Sequence, residues 1–365
     1  MKNILIANIF GIGDVLFTTP LISGIKDSAP SARVGYLCNA RTRDIVSMVP
    51  GVEDIFVYEK DELTRLWGFS KRQYLEYLRD LFTGIKGKRY DTVFDFTLSR
   101  QFGLFFALCG IPERVGLDYK KRGVFLTRKI PFTGFEGRHV VEYYMDLLET
   151  AGIEPRDRQM KLVPDRESLE RASEYLAGRG AGEGPLAAII PGGGASWGKN
   201  ASRKRWSAEG FRRVSDLLVR QGFKVAIFGD PSERDICRRI SEAMEEEPVT
   251  VENDLSLKDY AALLSLFDVA VCNDGGPLHM AVALGLKTVS VFGPVDDKVY
   301  GPYPPGGDHR VITASEVPCR PCYTKFKLPV CENEMRCLKG IEPETVLKAC
   351  VELMKRKSDQ KKRTP

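Results

Sequence analysis

The sequence predicts an α/β protein built from two doubly wound parallel-sheet domains that face each other across a cleft. Short apolar, β-branched runs of strand length alternate with amphipathic stretches of helical length, the pattern of parallel sheets covered on both faces. The chain has 365 residues, enough for two domains at about 150 residues each. The alternation weakens only across 152–185, where GIEPRDRQ and GRGAGEGP are rich in Gly, Pro and charge.

In the first half, strands are expected at 3–8, 33–38, 54–58 and 91–96, and helices at about 14–28, 63–86 and 140–151. The second half carries strand patterns at 186–190, 223–228, 248–251, 268–272, 287–292 and 310–313, with helices at about 207–221, 231–243, 256–266 and 277–284. A boundary near 155–165 divides the chain into a domain at 1–160, a second at 161–345, and a C-terminal helix with a basic tail at 346–365.

Composition narrows the function classes. Lys and Arg number 54 against 49 Asp and Glu, a formal net charge of +5. The last eleven residues, KRKSDQKKRTP, hold that whole excess, so the body of the chain is neutral and no nucleic-acid partner is expected. A hydrophobic content of 43% excludes a disordered or collagenous chain. The start, MKNILIANIFGIGDVLF, is interrupted by Gly11, Gly13 and Asp14 and lacks a small-residue cleavage site, so no export signal is expected. No run approaches the roughly eighteen apolar residues of a spanning helix. Of nine cysteines, Cys38, Cys109, Cys237, Cys272 and Cys350 are scattered and expected to be buried reduced thiols.

In doubly wound sheets, ligands sit beyond the carboxyl ends of the strands. The first strand runs into Phe10-Gly11-Ile12-Gly13-Asp14. Asp14 suits a helix cap, yet a cap needs no pair of glycines before it. The third glycine of a dinucleotide fingerprint is missing, and an acid there would repel a pyrophosphate. A carboxylate held at a cleft mouth suits a general base instead. The strand at 186–190 leads into Pro191-Gly192-Gly193-Gly194-Ala195-Ser196-Trp197, then Lys199, Arg203, Lys204, Arg205 and Trp206. Exposed glycine amides backed by cations are what a diphosphate wants, although a flexible basic loop has the same composition. Phe228-Gly229-Asp230-Pro231-Ser232-Glu233 reads as a turn and helix start, or as a carboxylate for ribose hydroxyls. Asn273-Asp274-Gly275-Gly276-Pro277-Leu278-His279 again ends a strand in glycines before a helix. His279 is either a satisfied structural histidine or an imidazole beside a phosphate.

Two further clusters stand out. Cys319, Cys322, Cys331 and Cys337 fall within one irregular loop and suggest either a structural zinc staple or a packed, redox-sensitive loop. Lys71, Arg72, Arg79, Lys86, Lys88 and Arg89, and then Lys120, Lys121, Arg122, Arg128 and Lys129, are interleaved with Tyr74, Tyr77, Phe82 and Tyr90. Such residues make either solvated faces or a receiving surface for an anionic acceptor at a membrane.

Taken together, GIGDVLFTTPLI (11–22), PGGGASWGKNASRKRWS (191–207), FGDPSE (228–233), NDGGPLHMAVALG (273–285) and the trailing cysteine segment (319–341) resemble glycosyltransferase family 9, the ADP-heptose:lipopolysaccharide heptosyltransferases. The resemblance implies a GT-B fold of two Rossmann-like domains, with the acceptor on the first and the nucleotide sugar on the second. It implies inverting transfer of L-glycero-D-manno-heptose from ADP-heptose to the lipopolysaccharide inner core, on a Kdo–lipid A or heptosylated acceptor. Asp14 would then be the base and Lys204 the cation that neutralises the departing diphosphate. Gly193, Gly194, Ser196, Glu233, Asp274, Gly275, Gly276 and His279 would form the donor site, with Glu233 on the ribose. Gly11, Gly13, Lys120 and Arg122 would meet the acceptor. No cofactor is required on this reading, zinc at the cysteine loop being a staple only. The protein would work in the cytoplasm, peripheral to the inner face of the inner membrane. The sequence departs from the family in having Gly275 where Thr or Ser is frequent, Ser207 where Pro is frequent, and glycines at 192–194. A transferase or epimerase of another nucleotide sugar, and a silent nucleotide-sugar binder, are the rival readings.

Overall fold

The computed structural model describes residues 2–154, 157–179, 184–251 and 254–361. The chain divides into two compact units, Met1–Leu162 and Val163–Pro365. Each holds a six-stranded parallel sheet.

The first unit contains β1 (Asn3–Ala7), β2 (Arg33–Cys38), β3 (Asp54–Val57), β4 (Thr92–Asp95), β5 (Glu113–Tyr119) and β6 (Arg128–Phe132), in the order β3-β2-β1-β4-β5-β6. Register is set by pairs such as Asn3↔Arg33 and Ile4↔Thr92. β1 and β4 are buried on both faces, so they carry consecutive apolar residues, Ile4-Leu5-Ile6-Ala7 and Val93-Phe94, rather than alternating ones. Beneath them pack Leu37, Leu81, Ile85, Phe106 and Ile111.

The second unit contains β7 (Leu186–Ile190), β8 (Lys224–Ile227), β9 (Val249–Thr250), β10 (Val269–Asn273), β11 (Lys287–Phe292) and β12 (His309–Thr313), in the order β12-β11-β10-β7-β8-β9. Its core joins β7, β10 and β11 to Phe211, Val214 and Leu218 of one helix and to Val346, Ala349, Cys350 and Leu353 of another. That last helix begins at Pro343 rather than after 345, and its apolar residues complete the second core.

Several elements differ from the sequence expectation. β5 and β6 were not anticipated: Gly116 interrupts β5, and Pro131 sits in β6 at the sheet edge, where a missing N–H is tolerated. Helices Arg100–Leu108 and Arg166–Ala177 also lacked a clear pattern. The single helix expected over 63–86 is two, Lys60–Phe69 and Lys71–Gly87, broken at Ser70, whose extended backbone (φ −152°, ψ 104°) lets its side chain cap Gln73 N. The helix expected at 14–28 is likewise divided into Ile12–Leu16 and Thr19–Ser28. Among the described residues no helix is long and apolar enough to cross a membrane. Cys38, Cys109, Cys237, Cys272 and Cys350 are buried, and none of them forms a disulfide among the described residues.

Candidate active site

In each sheet the strand order reverses beside the first strand, and crevices at such switch points are where ligands settle. In the first unit the switch lies between β1 and β4, in the second between β7 and β10.

At the first switch point, buried Asn8 extends β1 and organises the turn that follows. Its Nδ2 donates to Asp14 O at 2.9 Å, and its Oδ1 accepts from Phe10 N at 3.1 Å. Asp14, half-buried, lies in the short helix Ile12–Leu16, and its Oδ2 accepts from Gly11 N at 3.1 Å. The helix N-cap is Gly11 rather than Asp14, which stands at the third helical position and bonds back to the Gly11 N–H, and that bond fixes the carboxylate at the strand end. Gly11 has an ordinary extended backbone (φ −77°, ψ 178°), so no turn requires glycine there. Gly13 is half-buried beside it.

Across the switch point stands Asp95, the last residue of β4, which the sequence reading overlooked. Thr97 donates to its Oδ1 from N at 2.9 Å and from Oγ1 at 2.7 Å, and burial pushes its carboxyl up to about 6. It shares a pocket with Ser99 and Arg122. Lys120 and Arg122 belong to the turn that ends β5, on the same carboxyl edge as Asp14. Lys120 and Lys121 have left-handed backbones (φ 53° and 59°), a conformation that costs about 1–2 kcal/mol for each residue with a side chain. The amine of Lys120 and the guanidinium of Arg122 lie 5.0 and 5.7 Å from the Tyr119 ring.

The second switch point brings together most of the predicted donor residues. Gly193 and Gly194 have positive φ (99° and 75°), as the tight loop after β7 demands. Buried Glu233 lies beneath that loop: its Oε1 accepts from Gly193 N at 2.7 Å and from Arg205 Nη2 at 3.0 Å, and its Oε2 from Asp230 N at 3.3 Å. Arg205 Nε also donates to Gly193 O at 2.9 Å. Gly192 leaves no room for a side chain, since a Cβ would stand 2.0 Å from the Glu233 carboxyl.

From the other strand, Asn273 Nδ2 donates to the carbonyls of Pro191 (2.8 Å) and Gly192 (3.0 Å), while its Oδ1 accepts from Trp206 N at 2.8 Å. The sequence reading missed Asn273 and Arg205 as site builders. An Asn ending a buried strand and one Arg in a basic run were the available signals. A Cβ on Gly275 would lie 3.2 Å from Gly194 N, so the two glycine loops touch. A Thr or Ser at 275 would crowd that nitrogen, which favours glycine there. Ser207, where Pro is frequent, caps a helix by accepting from Gly210 N at 3.0 Å.

Lys204 Nζ lies 2.5 Å from Asp274 Oδ2 and 4.5 Å from the centre of the Trp197 ring. His279 is buried in the first turn of the helix Gly276–Ala283, and its backbone N–H donates to Gly275 O at 3.4 Å. It stands behind the loop rather than at its surface. The Ser196 side chain lies outside the described residues.

The zinc staple is not borne out. Cys319, Cys322, Cys331 and Cys337 do line one pocket, with Arg203 and Arg320. Among the described residues, however, no three His, Cys, Asp or Glu side chains are arranged as metal ligands. Cys337 faces the second core, and Cys331 Sγ accepts from Met335 N at 3.3 Å.

Two doubly wound units with glycine loops, paired charges and carboxylates at their switch points define the architecture of a glycosyltransferase. A family model described as glycosyltransferase family 9 (heptosyltransferase) matches residues 78–329, and the chain belongs to that family. Lipooligosaccharide heptosyltransferase 2 of Campylobacter jejuni is 29% identical over 166 residues, 44% of this chain and 49% of that relative, so the match spans about half the relative's length. Lipopolysaccharide heptosyltransferase 3 of Escherichia coli is 25% identical over 80% of this chain and 83% of its own. The crystal structure of a family 9 glycosyltransferase from Veillonella parvula shares the fold, with a TM-score of 0.80 over 97% of both chains at 22% identity.

Proposed function

We propose that the protein is an inverting transferase that moves L-glycero-D-manno-heptose from ADP-heptose to a hydroxyl of the lipopolysaccharide inner core. The observation that carries this reading is the second switch point. There Lys204, ion-paired with Asp274, stands against two glycine loops. Such a loop pair offers backbone amides and a cation to a diphosphate.

Asp14 takes the proton from the acceptor hydroxyl as its oxygen attacks the anomeric carbon. The bond from that carbon to the diphosphate breaks, and its electron pair leaves with ADP. Lys204 and the amides of Gly194, Gly275 and Gly276 receive the charge, with Gly193 shaping the loop through its bond to Glu233, so the reading asks for no metal ion. Asp274 holds Lys204 in place, Glu233 braces the loop and faces the ribose, and His279 supports the helix turn. Gly11 and Gly13 let the acceptor approach Asp14, while Lys120 and Arg122 meet its anionic groups. The acceptor is Kdo–lipid A or an already heptosylated core, reached at the inner face of the inner membrane.

The test is ADP release from ADP-heptose with and without deacylated Kdo–lipid A. Acceptor-dependent release is expected. Saturable ADP binding without release on either deacylated Kdo–lipid A or a deacylated heptosylated core would overturn the reading in favour of a silent binder or of a different activated sugar.

A further inference from the structure

The break at Ser70 leaves an apolar crest uncovered. Trp67, Phe69 and Leu75 are 54%, 78% and 62% exposed, within nine residues of one another in sequence. Large apolar side chains scattered singly need no explanation, but three within nine residues spanning one helix break do. The crest has a defined order: Trp67 and Tyr74 meet edge to face at 5.0 Å, and Lys71 Nζ lies 3.5 Å from the Trp67 ring centre. Residues 65–75 (RLWGFSKRQYL) carry three cations and no acid. The partners of Arg65 and Arg72, Glu62 and Glu76, stand just outside that stretch.

The position of the crest follows from the helix Lys71–Gly87. At its C-terminal end, Lys88 Nζ and Tyr90 Oη bond Asp54 at the start of β3, at 2.6 and 3.2 Å. Further back, Tyr77 Oη donates to Val57 O at 2.9 Å and accepts from Glu59 N at 3.1 Å, which places it at the carboxyl end of β3. Residues 71–76 therefore overhang the carboxyl edge of the first sheet by about 9 Å, at 1.5 Å per helical residue. Asp14 lies on that same edge.

We propose that the crest formed by Trp67, Phe69, Lys71 and Leu75 docks on an anionic lipid bilayer, with its rings in the headgroup region. An aromatic ring capped by an amine suits that boundary, because the ring enters the apolar layer while the cation meets lipid phosphate. The docked crest turns the carboxyl edge of the first sheet, and Asp14 with it, toward lipid-borne acceptors. This inference rests on the transferase reading for its purpose, but its test does not.

The experiment is sedimentation of the full chain with vesicles of phosphatidylcholine alone or with 30 mol% phosphatidylglycerol. The wild type is expected to partition onto the anionic vesicles, and the double variant W67A/F69A to lose roughly tenfold or more of that partition. K71E is expected to abolish the preference for phosphatidylglycerol. Transfer to a water-soluble deacylated acceptor should be equal in the wild type and W67A/F69A. Equal partition of wild type and double variant would overturn the proposal. So would lipid-free self-association that W67A/F69A abolishes, since a second copy would then cover the crest. Absence of transfer to the soluble acceptor with vesicle binding intact would refute the transferase reading alone.

Discussion

Lys204 and Asp274 form an ion pair of 2.5 Å between side chains only 10% and 4% exposed, joining the segment after β7 to the loop after β10. Breaking a buried pair from one side strands a charge and costs ~3–5 kcal/mol, whereas removing both partners can be nearly neutral. Lys204→Met should therefore lower the stability of the second unit, and Lys204→Met with Asp274→Asn should recover most of the loss. Transfer should stay down by about 100-fold or more in both, because the leaving group has lost its cation. Chemical denaturation read beside ADP release separates the two effects. Recovery of transfer in the double variant would remove Lys204 from the chemistry.

Asp14→Asn keeps an oxygen to accept from Gly11 N, so the turn survives while the basic group is lost. Transfer should fall by about 100- to 10,000-fold, the usual contribution of a positioned base. ADP affinity, which depends on residues of the second unit, should be unchanged by calorimetry. A joint loss of ADP binding would mean that donor and acceptor had been assigned to the wrong units.

Gly192→Ala would drive a Cβ to 2.0 Å from the Glu233 carboxyl. Glu233 must then move, leaving Gly193 N and Arg205 without the acceptor they share. Stranded donors of this kind cost about 1–3 kcal/mol each, so ADP affinity should weaken by roughly tenfold or more. Wild-type ADP binding by this variant would show that the brace is dispensable.

Burial holds the Asp95 carboxyl at about 6, against an ordinary 3.8. The folded state thus keeps a proton that the unfolded state has released between those values. Stability from this residue is full below about pH 4, falls as pH rises through the window, and levels off above about pH 6. Asp95→Asn should remove that slope and stabilise the first unit at pH 7 by up to about 3 kcal/mol. Denaturation of both proteins at pH 4 and pH 7 checks it, since the other carboxylates cancel in the difference.

The sheets were legible where strands are buried on both faces. NILIA, VAVCN and KTVSVF announce themselves because they are short, β-branched-rich runs in which no charge interrupts the interior and any polar residue is small. β5 escaped because Gly116 fits where a Cβ would stand 2.7 Å from Asp95 O, a close approach between strands that no local pattern records. The loops at both switch points were visible as glycines following apolar runs. The bonds that shape them were not. Gly193 meets Glu233 forty positions away, and Asn273 reaches back eighty-two to Pro191. Residue type alone did not separate Arg205, which shapes the loop, from Arg203, which bonds the Pro329 carbonyl.

The contact between Gly194 and Gly275 bears on how this site can change over generations. A methyl group on Gly275 would press to 3.2 Å from the Gly194 nitrogen, so a side chain there asks the 192–194 loop to give by a few tenths of an ångström. Larger residues at 275 are easier to accept once the 192–194 segment has shifted to make room. The two positions should accordingly turn over on the same branches of a lineage, and a library that randomises one loop alone will return mostly inactive clones.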